Sequence, residues 1–470
     1  MTMRDDQRIG VAGLFAARSI AVFGASDRSL LHRTTLENLL ASDRGPVLGV
    51  NPRRAEVLGV PCVPRAADLP IVPDAALMLV PDAALEGAVD DALAHGIRTL
   101  VVCGLDDGPR QLPVVDRIAR AVRSAGALMV GPNCVGVAAP GGLSPWIGSI
   151  PATVTPGPIA VLSQSGAVGE AIVGLGPRLG LRMVATLGYE ATVDVADFCA
   201  FLADDDATRA VGLFLETVRR PDALAAAASR LARARKPVVA LKVGRSAAAA
   251  ASARAHTGAD AGTPEAFAAL ARASGMVLVE DYAELVEALA LLDRVGPLRG
   301  KRVGAVTYSG GEAALLADVA ERVGVPFAPV DPGLAARLRD AGPAGLSGAN
   351  PLDAWCSEDI LPTFRRALDA MAASGDFDLL VGQADLTPHI GEMERRNATL
   401  MAQALAEAGA AHGIPGALLS MQASEPPPEV DAIARRDGLA LLREPRAALR
   451  AIGALADWRP AEVPSAVPVA

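Results

Sequence analysis

The chain has 470 residues, enough for about three domains at the usual ~150 residues each. With 51% apolar and 21% charged residues it can bury sizeable cores, which excludes wholesale disorder, while 3% aromatics favours close packing through Ala, Gly and Val. Forty-four basic residues against 53 acidic ones give −9 without a long basic run, which argues against nucleic acid or an anionic membrane as a general partner.

Five cysteines, Cys62, Cys103, Cys134 and Cys356 among them, show no CxxC spacing, so neither a disulfide framework nor a metal site is expected. The start MTMRDDQRIG lacks a signal peptide's apolar core, and no apolar run reaches the ~18 residues of a membrane span. The expectation is a soluble cytoplasmic protein.

In chain order, SIAVFGAS, GPVLGVN, AALMLVP, TLVVCG and ALMVGPN have strand length and end in turn residues, with helical segments such as AALEGAVDDALAHG between them. This alternation predicts a doubly wound parallel sheet whose ligand crevice lies at the carboxyl ends of the strands, where Gly24, Asn51, Val80, Gly104 and Asn133 fall. A Pro- and Gly-rich connection spans Pro140–Pro158. A second α/β unit follows, with PIAVLSQSGAVGEAIVGLG, AVGLFLETV and PVVALKVG. After VGPLRGKR a third unit opens on RVGAVTYSGGEAALLADVAERVG and repeats the strand, Ser-Gly turn, helix plan. The expected domains are 1–147, 148–297 and 298–460, with 461–470 a loose tail.

The turn FGASDRS has one glycine instead of GxGxxG, which argues against a nicotinamide site. Arg53 and Arg54, after the second strand, suit a phosphate better than a ribose diol, or form a solvated loop end. Ser163, Gln164, Ser165 and Gly166 lie between a strand and a helix, where N–H groups and the helix dipole favour an oxyanion. Simple serine capping explains the same residues. TYSGGEAALLAD reads as a structural turn or a second anion site. His256 stands on a small-residue loop before a helix and reads either as a surface residue or as a nucleophile able to meet an anion. His32, His95, His389 and His412 suit core or surface roles. Glu216, at the end of VGLFLETV, is a candidate to orient His256, or a surface glutamate before the next helix.

Together SIAVFGAS, VNPRR, VLSQSGA, FLETV, GRSAAAAASARAHTGADAG (Gly244 to Gly262) and NPLD (Asn350 to Asp353) resemble, in order, the motifs of the NDP-forming acyl-CoA synthetases, relatives of succinyl-CoA synthetase and of the α-type chain of acetate–CoA ligases. The resemblance implies a Rossmann-like CoA-binding domain followed by two flavodoxin-like parallel-sheet domains. It implies a relay in which acyl-CoA and phosphate give acyl phosphate and CoA, His256 takes the phosphoryl group, and ADP then receives it. It assigns phosphate to Ser163, Gln164, Ser165, Gly166, Thr257 and Gly258, with Glu216 steadying the phosphohistidine. It assigns CoA to Gly24, Ala25, Ser26, Asn51, Pro52, Arg54, Val80, Pro81, Gly104, Asn133 and Cys134.

The chain departs from the family pattern at CGLDDG (Cys103 to Gly108), at Ala255, where serine is usual, and at LGYEATVD. There Tyr189 replaces an asparagine and is expected to shape the acyl pocket. No segment resembles an ATP-grasp domain, so the resemblance implies a separate β-type subunit carrying ATP or ADP and Mg2+, in a hetero-oligomer or with a homodimer as the other assembly. The alternative is a CoA- or acyl-CoA-binding regulatory protein of the same fold without turnover.

Overall fold

Strands composed wholly of apolar residues, such as IAVF, AALM and LMV, are covered on both faces, as parallel sheets flanked by helices require. The computed structural model describes residues 10–42, 44–104, 112–249, 251, 262–342, 346–355 and 360–459. The described residues form two compact units that divide between Met276 and Val277.

The first unit holds two sheets. The strands of the first are β1 (Ile20–Phe23), β2 (Val47–Val50), β3 (Glu56–Val57), β4 (Val60–Val63), β5 (Ala75–Met78), β6 (Thr99–Val102) and β7 (Leu128–Val130), in the order β3-β4-β2-β1-β5-β6-β7. All its pairings are parallel except β3 with β4. The strand order reverses at β1, between β2 and β5, which opens a crevice at the carboxyl ends of these strands.

The strands of the second sheet are β8 (Val137–Ala138), β9 (Thr155–Ser163), β10 (Gly180–Thr186), β11 (Ala210–Leu215), β12 (Val238–Lys242) and β13 (Met276–Val279), in the order β13-β12-β11-β9-β10-β8, and the division between the units falls after the first residue of β13. Strands β9 to β12 pair in parallel, and β8 runs antiparallel along β10. The chain thus enters the second sheet at Val137, ten residues before the domain division expected after residue 147. The two sheets share an apolar cluster that includes Val22, Leu77 and Val101 with Leu162, Phe198 and Leu213. The helix Val11–Ala16 is tied to it by Phe15, which stacks on Phe201 at 4.8 Å between ring centroids and lies under the Arg182 guanidinium.

The second unit carries a parallel sheet of β14 (Val303–Thr307), β15 (Leu352–Asp353), β16 (Leu379–Gln383), β17 (Gly416–Ser420) and β18 (Ala440–Arg443), in the order β15-β14-β16-β17-β18. The helix Tyr282–Arg294 belongs to this unit, because it packs on the helix Pro445–Ala456 and on β18, and Glu284 pairs with Arg450 at 2.5 Å. The compact units therefore divide about twenty residues before the 297/298 boundary expected from the sequence. Asn350 of the NPLD motif acts as a structural clip: its Oδ1 accepts from the Ala305 N–H, and its Nδ2 donates to the carbonyls of Val303 and Ala328. The expected tail, 461–470, lies outside the described residues. No described helix is long and apolar enough to cross a membrane.

Candidate functional site

Two strand-end sites lie in the first unit. The first is a cavity of about 450 Å³ at the carboxyl ends of β1, β2 and β5. Gly24, Ser26, Asn51, Pro52, Arg54, Val80 and Pro81 line it, seven of the eleven residues expected there from the sequence. Gly24 has φ +83, and a Cβ on it would stand 2.4 Å from the Leu79 carbonyl oxygen, so the turn tolerates glycine alone. Asn51 braces the wall by donating from Nδ2 to the Ala25 carbonyl at 2.7 Å and accepting at Oδ1 from the Arg53 N–H. Ala25 itself is fully buried and acts through that carbonyl.

Gly104, Asn133 and Cys134 stand outside this lining. The Asn133 N–H donates to the Gly104 carbonyl at 3.1 Å, and a Cβ on Gly104 would be 3.5 Å from the Val80 carbonyl oxygen, which places the pair beside the cavity wall. Cys134 is buried, with Sγ 3.3 Å from the Val102 carbonyl oxygen. Cys103 touches Cys134, and that contact, followed by burial, holds its thiol well above the usual range.

Arg28, Arg53 and His32 also line the cavity. His32, which the sequence offered only as a core or surface residue, sits in the first turn of the helix Leu30–Ala41 with Nδ1 2.7 Å from Ser29 Oγ and Nε2 3.3 Å from the Leu79 carbonyl oxygen. The readable signal was its place just after the β1 turn. Arg28 just before the helix Leu30–Ala41, with Arg53 and Arg54 after β2, makes this cavity suited to a phosphate-bearing ligand.

The second site is built where β9, β10 and β11 end. Ser163 Oγ donates to the Ser165 carbonyl at 2.6 Å and accepts from the Ser165 N–H, which folds the turn on itself. Ser165 caps the helix Gly166–Val173 by accepting from the Val168 N–H. The helix start therefore presents backbone donors and its positive dipole end at the strand ends.

Gln164 turns inward. Its Nε2 donates to Glu190 Oε2 at 2.8 Å and to the Thr217 carbonyl at 3.0 Å, while its Oε1 accepts from the N–H groups of Glu216 at 2.6 Å and Thr217 at 2.9 Å. All four hydrogen-bonding positions of the carboxamide are used. The side chain of this residue, which the resemblance assigns to the phosphate-holding turn, ties three strand ends together.

Glu216 is buried beside it, and its carbonyl accepts from Lys242 Nζ at 2.7 Å. Lys242 also donates to the Val243 carbonyl, which joins the ends of β11 and β12. Lys242, Val218, Pro221, Gly262, Thr263 and Phe267 surround a smaller cavity of about 150 Å³. His256, Thr257 and Gly258 lie outside the described residues.

Glu190 is the residue the sequence did not offer. It is 5% exposed and has φ +49, and its Oε1 accepts from the Val195 N–H at 2.9 Å while Arg219 Nε stands 3.6 Å from Oε2. Burial first, then the nearby Asp194, pushes its carboxyl up to about 7 against the pull of the Val195 N–H, Arg219 and Gln164. Asp194 caps the helix Val195–Asp204 in a capping box and holds Arg220 through two contacts of 2.7 Å. Tyr189, expected in an acyl pocket, is buried in the apolar cluster with Met78, Val102 and Met129.

In the second unit, Ser309 caps the helix Gly310–Val323, and Glu312 lies in its first turn. Burial, then Asp385, raises the Glu312 carboxyl. Among the described residues no cluster of His, Cys, Asp and Glu could hold a metal ion.

A CoA-binding domain family matches residues 18–140, and a succinyl-CoA-ligase-like flavodoxin domain family matches residues 156–292. The chain is 30% identical over 378 residues to the ADP-forming acetate–CoA ligase I of Archaeoglobus fulgidus, covering 78% of this chain and 54% of that protein, so it spans about half the relative's length. It is 27% identical over 334 residues to the α subunit of the ADP-forming acetate–CoA ligase I of Pyrococcus furiosus, covering 67% of this chain and 71% of that one. A solved acetyl-coenzyme A synthetase 1 of Ca. Korarchaeum cryptofilum, described as dinucleotide-forming and bound to phosphate and ADP, matches 96% of both chains at 26% identity with a TM-score of 0.80. By its two domain families, its relatives and its fold, the chain belongs to the NDP-forming acyl-CoA synthetase superfamily of acetate–CoA ligase and succinyl-CoA synthetase.

Proposed function

We propose that this chain is the α-type part of an NDP-forming acyl-CoA synthetase. It interconverts a carboxylic acid, CoA and ATP with acyl-CoA, ADP and phosphate. In the thioester-consuming direction, phosphate oxygen attacks the acyl carbon and CoA leaves as the thiol, giving an acyl phosphate. A His256 nitrogen then attacks phosphorus, releasing the carboxylate, and ADP finally takes the phosphoryl group. These steps ask the protein for positioning and charge stabilisation.

The observation that carries this reading is the pairing, in one compact unit, of an arginine-lined cavity of nucleotide size with a Ser-Gly helix start against which Glu216 is locked. The cavity suits the phosphates of CoA, with Gly24 admitting close backbone approach. The helix start suits the transferred phosphoryl group, with Glu216 orienting the His256 imidazole. The nucleotide and Mg2+ belong to a separate ATP-grasp subunit in this reading, which the naming of the Pyrococcus relative as an α subunit supports.

The full chain should take an acid-labile, base-stable label from phosphate-labelled acetyl phosphate, and from labelled ATP when the ATP-grasp partner is present. The His256→Ala chain should take none. Equal labelling of both chains would overturn the relay, and CoA binding without any label would favour a regulatory binding protein.

A further inference from the structure

We propose that Glu190 is a positioning residue of the phosphoryl site, one that holds Glu216 in place through Gln164 only while its own carboxylate is ionised. The inference deepens the phosphohistidine reading and rests on it.

Both Glu190 oxygens face donors: Oε1 the Val195 N–H and Oε2 the Gln164 carboxamide N–H, with Arg219 Nε behind it. A proton on either oxygen would point at an N–H and break that contact, so the carboxylate is the form that satisfies both. Gln164 cannot adapt by turning over. A flipped amide would set its oxygen against the Thr217 carbonyl and its NH2 against the N–H groups of Glu216 and Thr217. The amide is therefore held to the backbone just after β11 through both Oε1 and Nε2, and Glu190 takes the second Nε2 hydrogen. Losing the Glu190 contact leaves Nε2 on the Thr217 carbonyl alone and removes the one restraint that fixes the amide from outside that strand end, which loosens Oε1 on the Glu216 N–H.

The charged groups facing Glu190 are Asp194 at the start of the next helix and Arg219 after β11. Cys199 on that helix feels both acids, and Arg220 is taken up by Asp194 and Asp197. Burial and Asp194 oppose ionisation while Arg219 and the two N–H donors favour it, and the balance falls at about 7. The clamp is thus set to engage across neutrality: closed above, released below.

The test compares single-turnover phosphorylation of the full chain by labelled acetyl phosphate in the wild type and in Glu190→Gln, from pH 6 to 8.5. The ratio of the two rates cancels titration of His256 and of the phosphate donor. Gln has the shape of protonated Glu, so the ratio should be near 1 at pH 6 and rise to about tenfold at pH 8, as for loss of one charge-assisted hydrogen bond. A ratio constant with pH would reduce Glu190 to a fixed structural part and overturn the proposal. No label on the wild type would instead sink the relay reading itself.

A readout independent of turnover guards against a folding defect in the variant. The backbone amide resonances of Glu216 and Thr217 should titrate with a midpoint near 7 in the wild type and lose that step in Glu190→Gln. Their persistence in the variant would also overturn the clamp.

Discussion

Gln164 Oε1 lies 2.6 Å from the backbone nitrogen of Glu216, so the turn after β9 and the end of β11 are joined by one side chain. A glutamine one residue past a strand, flanked by two serines, looks like a ligand donor. Its buried setting and four used contacts make it a brace between strands that are already neighbours in the sheet.

Replacing Gln164 by Leu keeps the volume and removes every contact. The N–H groups of Glu216 and Thr217 and one oxygen of Glu190 would then be buried without their partner, each costing about 1–3 kcal/mol. Hydrogen exchange should quicken in peptides covering β9 and β11, while β16 in the other unit stays as protected as before. Unchanged exchange at Glu216 would mean that the brace is dispensable.

Glu190→Gln should also alter how stability depends on pH. The wild-type carboxyl is raised from 4.5 to about 7 in the folded chain, so between those values the folded state binds more protons than the unfolded one. Its contribution is therefore fully present below about 4.5 and is lost as pH rises through 7. The full shift corresponds to something on the order of 3 kcal/mol. The melting temperature of Glu190→Gln relative to wild type should rise between pH 5 and pH 8. A relative fall over that window would contradict the raised carboxyl.

The β1 turn, the SQSG turn and the alternation of strands and helices were legible because each depends on neighbours in sequence: glycine where φ is positive, serine before a helix, apolar runs of strand length. Glu190 was not. Its role arises from partners 5, 26 and 29 residues away, Val195, Gln164 and Arg219, brought together only when β9, β10 and β11 align. The segment LGYE departs from the family pattern at Tyr189, whose large side chain fills the core beneath the first sheet, while the smaller acid beside it faces the site. His32 is inconspicuous in sequence for a related reason, since a histidine in a first helical turn is common and only the fold shows the cavity beside it.

Gly24→Val should abolish binding at the 450 Å³ cavity, because the branched side chain would collide with the Leu79 carbonyl and resist φ +83. Titration calorimetry with CoA on the full chain is the measurement. Arg54→Ala should weaken CoA binding only severalfold, and the loss should shrink at high salt, because this arginine is partly exposed beside Asp27 at 3.4 Å. Tight CoA binding by Gly24→Val would exclude the cavity as the CoA site.

Asp194→Ala separates the two roles of that acid. It removes the cap of the helix Val195–Asp204, with the bonds from the Ala196 and Asp197 N–H groups, a loss of roughly 1–2 kcal/mol. The Arg220 contact adds little to that loss, because its guanidinium is about half exposed and can turn to water or keep Asp197. The electrostatic consequence is the more informative one. Asp194 raises the Glu190 carboxyl, and removing it while leaving Arg219 and Arg220 in place favours the ionised form. The midpoint read from the Glu216 amide should fall below 7, and phosphorylation by acetyl phosphate should persist to lower pH than in wild type, although the chain melts earlier. If the midpoint stays at 7 while stability drops, Asp194 serves the helix alone and the field at Glu190 is set by burial.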